Sequence, residues 1–259
     1  MKNILILIGC LCGIITTYAE APSWGKTGHR TIGEIAMHHL TTKAKKKIKM
    51  LLEGHSPAYE SIYADNIRSD DAYKKYGPWH YVNFDAGEKY TLDTANPDGD
   101  VIQAIRKCEA VLRDSDTEVE DKRFHLRMLI HLVGDLHQPL HVGHSSDRGG
   151  NDVKLVWFGE ESNLHRIWDS DMIDHYQMSY TELAANLDIL PKAESKKIVK
   201  GTLMDWVYET QELAEKVYDG AKGKTELRYT YMYHNWPIVE TQLLKGGLRL
   251  AQILNRIYG

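Results

Sequence analysis

The chain has 259 residues, of which 42% are hydrophobic and 26% are charged, and its formal net charge at pH 7 is −4. These values are typical of a soluble globular protein of about one domain. Proteins that coat nucleic acids carry a strongly basic surface, so the acidic balance excludes that class and restricts any nucleic-acid contact to a local site.

Residues 1–23 have the pattern of an export signal. Lys2 supplies a positive start, an apolar stretch occupies residues 4–15, and small residues follow before Trp24. The stretch is too short, and too often interrupted by glycine, to predict a membrane span. We therefore expect residues 1–23 to be a signal peptide, residues 24–259 to be the mature domain, and the protein to be secreted or periplasmic.

A second interpretation of the same segment stays open. Residues 7–10 resemble the box that precedes the lipidated cysteine of bacterial lipoproteins, and lipidation of Cys10 would leave Trp24 internal. After signal removal Cys108 is the one remaining cysteine, so the mature chain has no internal disulfide and is held by its core or by metal.

Helical periodicity dominates the rest of the chain. Patterns of apolar residues at helical spacing predict helices over residues 31–40, 42–52, 56–69, 100–112, 118–136, 164–176, 180–187, 193–218 and 239–258. Residues 151–158 instead alternate Val153, Leu155 and Trp157, as a short strand does. The predicted fold is mainly α, with a small β element near 151–158.

The chain contains 13 histidines, and two of them belong to His-x-x-x-Asp pairs. His131 and Asp135 lie four residues apart on the longest predicted helix, and His165 and Asp169 repeat the spacing, so each pair shares one helix face. A single pair of this kind is usually an ion pair or a structural hydrogen bond. Two pairs with His141 between them indicate a metal site, because imidazole and carboxylate are zinc ligands.

Three residues upstream of these pairs are further candidate metal ligands: His29 near Trp24, Asp65 near the end of a predicted helix, and His80. We expect His137 to be structural, because its spacing from Asp135 turns it to another helix face. Surface or core positions are expected for the remaining histidines, which are His38, His39, His55, His125, His144, His175 and His234.

Five segments together resemble the zinc-dependent single-strand nuclease and 3′-nucleotidase family, which is related to zinc-dependent phospholipase C. They are WGKTGH at residues 24–29, ADxxR at 64–68, HYVN at 80–83, HLVGDLHQPLH at 131–141 and NLHxxWD at 163–169. They occur in the family's order and cover well over half of the mature chain. The resemblance implies a single-domain helical fold of the phospholipase C and single-strand nuclease type.

The resemblance also implies three zinc ions. The first would be held by Asp65, His80, His131 and Asp135. The second would be held by the α-amine and carbonyl of Trp24, with His29 and a bridging Asp135. The third would be held by His141, His165 and Asp169.

The activity implied is hydrolysis of single-stranded RNA and DNA to 5′-mononucleotides, together with 3′-nucleotidase activity, by a monomer. Asp65, Asp135 and Arg68 would be catalytic, with Arg68 neutralising phosphoryl oxygens; a surface salt bridge is the other interpretation of Arg68. The family's base-stacking aromatic corresponds to Tyr81. Asn83 stands where fungal and plant members often have Asp, so base preference stays open.

Alternatives stay open for one segment and for the activity itself. Residues 147–151 form either a wall of the cleft or a plain Gly-Gly turn. The nearest rival activity is that of a zinc-dependent phospholipase C, which typically ends the third site with Glu where this chain has Asp169. A zinc-storage protein is a third possibility, but its sites would be saturated by protein ligands, whereas these leave coordination open.

Overall fold

The structure is a computed structural model that describes residues 24–84, 87–93 and 95–259. The predicted signal peptide, residues 1–23, and its lipoprotein alternative at Cys10 lie outside the described residues. Among the helices of the described ranges, none combines the length and the apolar character that a membrane span requires.

The described residues form a mainly helical fold with a small sheet, as the sequence predicts. In chain order the helices are α1 (Lys26–His39), α2 (Thr42–Leu51), α3 (Pro57–Glu60), α4 (Tyr63–Ile67), α5 (Val101–Arg113), α6 (Val119–Leu136), α7 (Leu164–Arg166), α8 (Met172–His175), α9 (Tyr180–Leu187), α10 (Lys192–Ile198), α11 (Leu203–Ala221) and α12 (Tyr229–Tyr258). Short 3₁₀ helices span Asp71–His80, Pro139–Val142 and Ser145–Asp147, and a π-helical turn spans Ile167–Asp171.

The sheet has three strands: β1 (Lys154–Trp157), β2 (Glu160–Asn163) and β3 (Glu226–Leu227). β1 is central; it pairs with β2 in antiparallel fashion and with β3 in parallel. Phe158 and Gly159 connect β1 to β2 with φ angles of 50° and 93°, the left-handed values that a two-residue hairpin turn requires. This sheet confirms the β element predicted near 151–158.

Helix α6 lies at the centre of the fold, in contact with α1, α5, α11 and α12. All nine positions from Met128 to Leu136 are buried, so the second half of α6 is enclosed on all sides. Helices α1 and α12 pack most closely at Gly247, where an added Cβ would lie 2.5 Å from Cγ2 of Ile35. The side chains that α6 presents are therefore held by several neighbouring helices.

Two predicted helices are interrupted in the structure. The segment 56–69 divides into α3 and α4 around Ser61, whose carbonyl turns toward His131 instead of continuing the helix. The segment 193–218 divides into α10 and α11 because Gly201 has a φ of +96°, after which Thr202 caps α11.

Two other helices begin earlier than predicted. Helix α1 begins at Lys26, and α12 begins at Tyr229, well before the predicted start at 239. Pro237 lies inside α12, where proline normally ends a helix. Burial of Tyr231, Met232 and Trp236 on the preceding turns outweighs the hydrogen bond that Pro237 cannot donate.

Candidate metal centre

The first His/Asp cluster is built on the buried face of α6. His131 Nε2 lies 3.1 Å from Asp135 Oδ2, as the four-residue spacing predicts. His80, at the end of the Asp71–His80 helix, places Nδ1 2.9 Å from the same Asp135 oxygen. Asp65 on α4 completes the group, with Oδ1 3.7 Å from His131 Nε2.

The second cluster shares α6 with the first and adds His29 from α1. His29 Nε2 lies 3.3 Å from Asp135 Oδ1, and the His29 ring stacks on His131 with 3.9 Å between ring centroids. A Cβ on Gly134 would lie 2.7 Å from His29 Nδ1, so glycine at this position permits the close approach. The two oxygens of Asp135 therefore face two different clusters, which is the geometry of a bridging carboxylate.

The third cluster is formed by His141, His165 and Asp169. His165 Nε2 lies 3.0 Å from Asp169 Oδ2, and His141 Nε2 lies 3.5 Å from Asp169 Oδ1. The rings of the two histidines stack with centroids 5.0 Å apart. The π-helical turn at Ile167–Asp171 keeps Asp169 on the same side as His165.

Three of these histidines are oriented in the same way. Each has its Nδ1 against a backbone carbonyl: His131 at 2.6 Å from Ser61, His141 at 2.7 Å from His80, and His165 at 2.6 Å from Gly149. A carbonyl only accepts, so Nδ1 carries a proton and donates it, and Nε2 is the ring nitrogen that faces the cluster. Metal-bound histidines are anchored in this way.

Buried charge gives a second test of whether these residues fit a metal. Asp135 and Asp169 are fully buried, and burial favours their neutral form, but the neighbouring histidines hold the pKa of Asp135 well below its ordinary value. Burial likewise lowers the pKa of His131 and His141, yet the adjacent carboxylates outweigh it and raise both to about 9. The carboxylates thus favour positive charge at His131 and His141, whereas burial lowers the pKa of His29 and His80.

Several inward-facing atoms of the clusters are fully buried and make no hydrogen bond within the described protein. They are Asp135 Oδ1, His141 Nε2 and Asp169 Oδ2. The candidate ligand atoms lie within 4.8 Å of one another in three groups, which are His29–His131–Asp135, Asp65–His80–His131 and His141–His165–Asp169. Imidazole nitrogen and carboxylate oxygen at these separations fit divalent zinc, so the three clusters are groups that could bind metal.

The first described residue lies against this centre. Trp24 is fully buried, and the amide of the next residue, Gly25, donates to the carbonyl of Asp169 at 2.6 Å. A Cβ on Gly25 would lie 2.8 Å from Cβ of Ser170, so the close approach of the two segments requires glycine. The backbone at Trp24 is therefore held beside a cluster residue.

Comparison with known proteins identifies the family. The family model described as S1/P1 Nuclease matches residues 24–259, which is the whole of the predicted mature domain. The chain belongs to the S1/P1 nuclease family.

Relatives from plants and fungi resemble this nuclease over nearly their full length. Endonuclease 2 of Arabidopsis thaliana is 32% identical over 91% of each chain. Nuclease S1 of Aspergillus oryzae is 27% identical over 90% of this chain and 91% of its own length. Nuclease P1 of Penicillium citrinum is 28% identical over 91% and 98%. The matches confirm the resemblance that the sequence motifs indicate.

A small cavity of about 200 Å³ in the nuclease is lined in part by the residues that directly follow His80 in the chain. Its lining includes Tyr81, Asn83, Phe84 and Tyr90. Tyr81 is 41% exposed, whereas the buried Asn83 Oδ1 has no hydrogen-bond partner among the described residues. The structure therefore brings the two predicted base-contacting residues to one cavity.

Arg68 lies at the edge of the first cluster. Its Nη1 is 3.8 Å from Asp65 Oδ1, and its side chain is 22% exposed. The guanidinium therefore lies close to Asp65, a contact that both interpretations of Arg68 allow.

His137 lies outside the three clusters, as predicted. Its Nδ1 bonds to the carbonyl of Val133 at 2.7 Å, and its Nε2 accepts from Arg249 Nη1 at 3.0 Å. Burial and the charge of Arg249 lower the pKa of His137 to about 3, so the ring stays neutral. His137 thus has one ring nitrogen bonded to a backbone carbonyl and the other to an arginine, and neither faces a carboxylate of the clusters.

Sequence reasoning missed the groups that orient the cluster residues. Ser61 and Gly149 act through backbone carbonyls, for which side-chain identity gives little signal. Gln138 is fully buried and donates from Nε2 to Asp169 Oδ1, while its Oε1 accepts from the Leu140 amide at 2.6 Å. The position of Gln138 inside the HLVGDLHQPLH motif was the available indication.

Proposed function

We propose that this nuclease is a secreted trinuclear-zinc phosphodiesterase that hydrolyses single-stranded RNA and DNA to 5′-mononucleotides and removes 3′-phosphates from nucleotides. The observation that carries the proposal is a set of three His/Asp clusters, two of which meet at Asp135, together with a cavity lined by an exposed aromatic ring. Family membership supports the hydrolase class.

The proposed ligand sets follow the clusters. Asp65, His80, His131 and Asp135 would hold one zinc, and His141, His165 and Asp169 would hold another. The remaining zinc would be held by His29, Asp135 and the amine and carbonyl of Trp24. The burial of Trp24 and the start of the family match at residue 24 support a mature chain that begins there.

Bound zinc would activate a water molecule and neutralise phosphoryl oxygens in an in-line displacement. The protein's own groups position the substrate for that step. Arg68 lies where a guanidinium can pair with a non-bridging phosphoryl oxygen. Asp65 and Asp135 fix the distance between the two neighbouring clusters, because both approach His131.

Selectivity for single strands would arise at the cavity. Tyr81 offers an exposed ring on which a base can stack only after it has left its duplex neighbours. Asn83 lines the same cavity, and its side-chain amide offers both a donor and an acceptor for the edge of a base. This arrangement favours the nuclease over the phospholipase, whose lipid substrate has no base to stack.

The test combines metal analysis with parallel assays on protein that begins at Trp24. We expect three zinc ions per chain, loss of activity in EDTA, and faster cleavage of single-stranded RNA and DNA than of duplex DNA. 3′-AMP should release phosphate and phosphatidylcholine should stay intact. Hydrolysis of phosphatidylcholine without nuclease activity would establish the phospholipase alternative, and three bound zinc ions without any hydrolysis would establish the storage alternative.

A further inference from the structure

The Gly149–Gly150 segment, which lies between His141 and His165 in the chain, is hydrogen-bonded to His165. Gly149 accepts the His165 Nδ1–H at 2.6 Å, and Gly150 accepts the backbone amide of His165 at 3.3 Å. Both anchors of this ligand candidate therefore come from two adjacent carbonyls. The orientation of the His165 ring depends on where residues 149 and 150 are held.

The backbone at this point is strained for any residue except glycine. Gly149 and Gly150 have φ angles of 62° and 79°, in the left-handed region. A Cβ on Gly149 would lie 2.3 Å from the carbonyl oxygen of Leu140. The segment is thus pressed against the stretch that carries His141, and such a conformation persists only when surrounding contacts hold it.

Asp147 supplies the first of those contacts. Its Oδ1 accepts the Gly150 amide at 2.7 Å and, at the same time, the hydroxyl of Tyr218 at 2.8 Å. Tyr218 lies on α11, a helix that contributes no residue to the three clusters. The hydroxyl also accepts the His144 amide at 3.2 Å, and the Gly149 amide donates to the His144 carbonyl at 2.9 Å.

The ring of Tyr218 is fixed as well. It stacks on the His144 ring with centroids 4.1 Å apart and planes within 7°, and His144 Nε2 lies 2.7 Å from Glu215. Burial raises the pKa of Tyr218, and Asp147 raises it further, so the hydroxyl keeps its proton and donates at neutral pH. One hydroxyl thus joins α11 to both ends of the 144–150 segment.

We infer that Tyr218 is a positioning residue for the third cluster: through Asp147 and the Gly149–Gly150 carbonyls it holds His165 in the orientation that binds metal. The inference rests on the proposed zinc function. The hydrogen bonds that join Tyr218 to His165 through Asp147 and the glycine carbonyls involve no side chain of His29, His80 or His131. The third metal alone should respond to its loss.

The variant Tyr218→Phe removes the hydroxyl and keeps the ring that stacks on His144. Loss of a group that orients a ligand typically lowers metal affinity 10–100-fold. We expect zinc titrations in chelator-buffered solution to show one of three sites weakened by about 10-fold or more, with two unchanged. In the metal-free protein, hydrogen exchange of the Gly150 amide should accelerate.

Two further variants separate positioning from general destabilisation. Tyr208→Phe makes the same change on the same helix, at a half-buried tyrosine away from the segment, and should match the wild type. Asp147→Asn retains an oxygen that can accept both donors and should preserve third-site affinity, whereas Asp147→Ala should reproduce the effect of Tyr218→Phe.

Each outcome decides the inference. Unchanged affinity of the third site, or equal weakening of all three sites, in Tyr218→Phe would overturn the positioning role while leaving the proposed function intact. A wild-type protein that binds no third zinc would overturn the proposed function, and unchanged Gly150 exchange in the metal-free variant would then overturn the positioning role separately.

Discussion

Arg249 of α12 donates to the buried Nε2 of His137, with 3.0 Å between the nitrogens, at the point where α6 ends. The same guanidinium contacts the carbonyl of Ile198 and the carboxylate of Glu209, and lies 4.9 Å from the ring of Trp206. Through this contact the C-terminal helix α12 packs against His137, which follows Asp135 by two positions in the chain. The last third of the chain therefore supports the metal centre without contributing a ligand candidate.

Replacement of Arg249 should lower the free energy of unfolding. Arg249→Met leaves the buried His137 Nε2 and the Ile198 carbonyl without their donor, and a buried polar group left unsatisfied typically costs about 1–3 kcal/mol. Glu209 keeps its second partner, Lys245. Urea unfolding of the zinc-loaded protein measures the change. Arg256→Met on the same helix is the control: its arginine is 50% exposed and 3.5 Å from Glu109, so the change should stay within about 1 kcal/mol. Equal stability of both variants would contradict the role of Arg249.

Asp135→Asn should abolish activity and remove at least one zinc, because an amide supplies one neutral oxygen where the carboxylate faces two clusters. Helical circular dichroism should survive. Asp121→Asn, at an exposed position in the first turn of α6, is the matched control and should keep full zinc content. Three zinc ions and normal turnover in Asp135→Asn would refute the bridging assignment.

Removal of zinc should lower the melting temperature sharply. The described chain contains one free buried cysteine, Cys108, and no disulfide, so no covalent cross-link stabilises it. The buried carboxylates of Asp135 and Asp169 depend on nearby positive charge, which zinc would supply. Metal binding to the folded state adds directly to the free energy of unfolding. Calorimetry before and after EDTA, with zinc loss verified by elemental analysis, measures the effect. An unaltered melting curve in verified metal-free protein would show that the clusters contribute little.

Tyr81→Ala should weaken cleavage of single-stranded oligonucleotides by about 1–3 kcal/mol, the usual contribution of one base–aromatic stack, which is roughly a 5- to 150-fold loss in kcat/KM. Tyr81→Phe keeps the ring and should retain most of the activity. Zinc content should be the same in both variants. If the alanine variant cleaves as well as the wild type, the base lies elsewhere.

A free amine at Trp24 should be required for full metal content. One protein would begin at Trp24, and a second would carry a single extra glycine before it. The extension converts the amine into an amide, whose nitrogen is a poor zinc ligand, so the second protein should lose one zinc and most activity while its helicity persists. Equal zinc content would show that the amine is not a ligand and would favour the lipoprotein interpretation at Cys10.

The sequence predicted those parts of the site that depend on spacing within one helix. His131 with Asp135 and His165 with Asp169 share faces because the α-helix repeats every 3.6 residues. The carbonyls of Ser61 and Gly149 were not predictable, because tertiary packing decides which backbone groups meet a histidine. The start of α12 was missed for the same reason: Pro237 indicates a helix end locally, while burial of Trp236 favours continuation.

The enclosed position of Trp24 has a practical consequence for anyone who produces this nuclease. An affinity tag or fusion partner placed ahead of Trp24 would occupy the space beside Asp169, where Gly25 already approaches too closely for a side chain. The other terminus is different, since Gly259 is exposed at the end of α12. Purification handles, surface-immobilisation linkers and reporter fusions therefore belong at the carboxyl end.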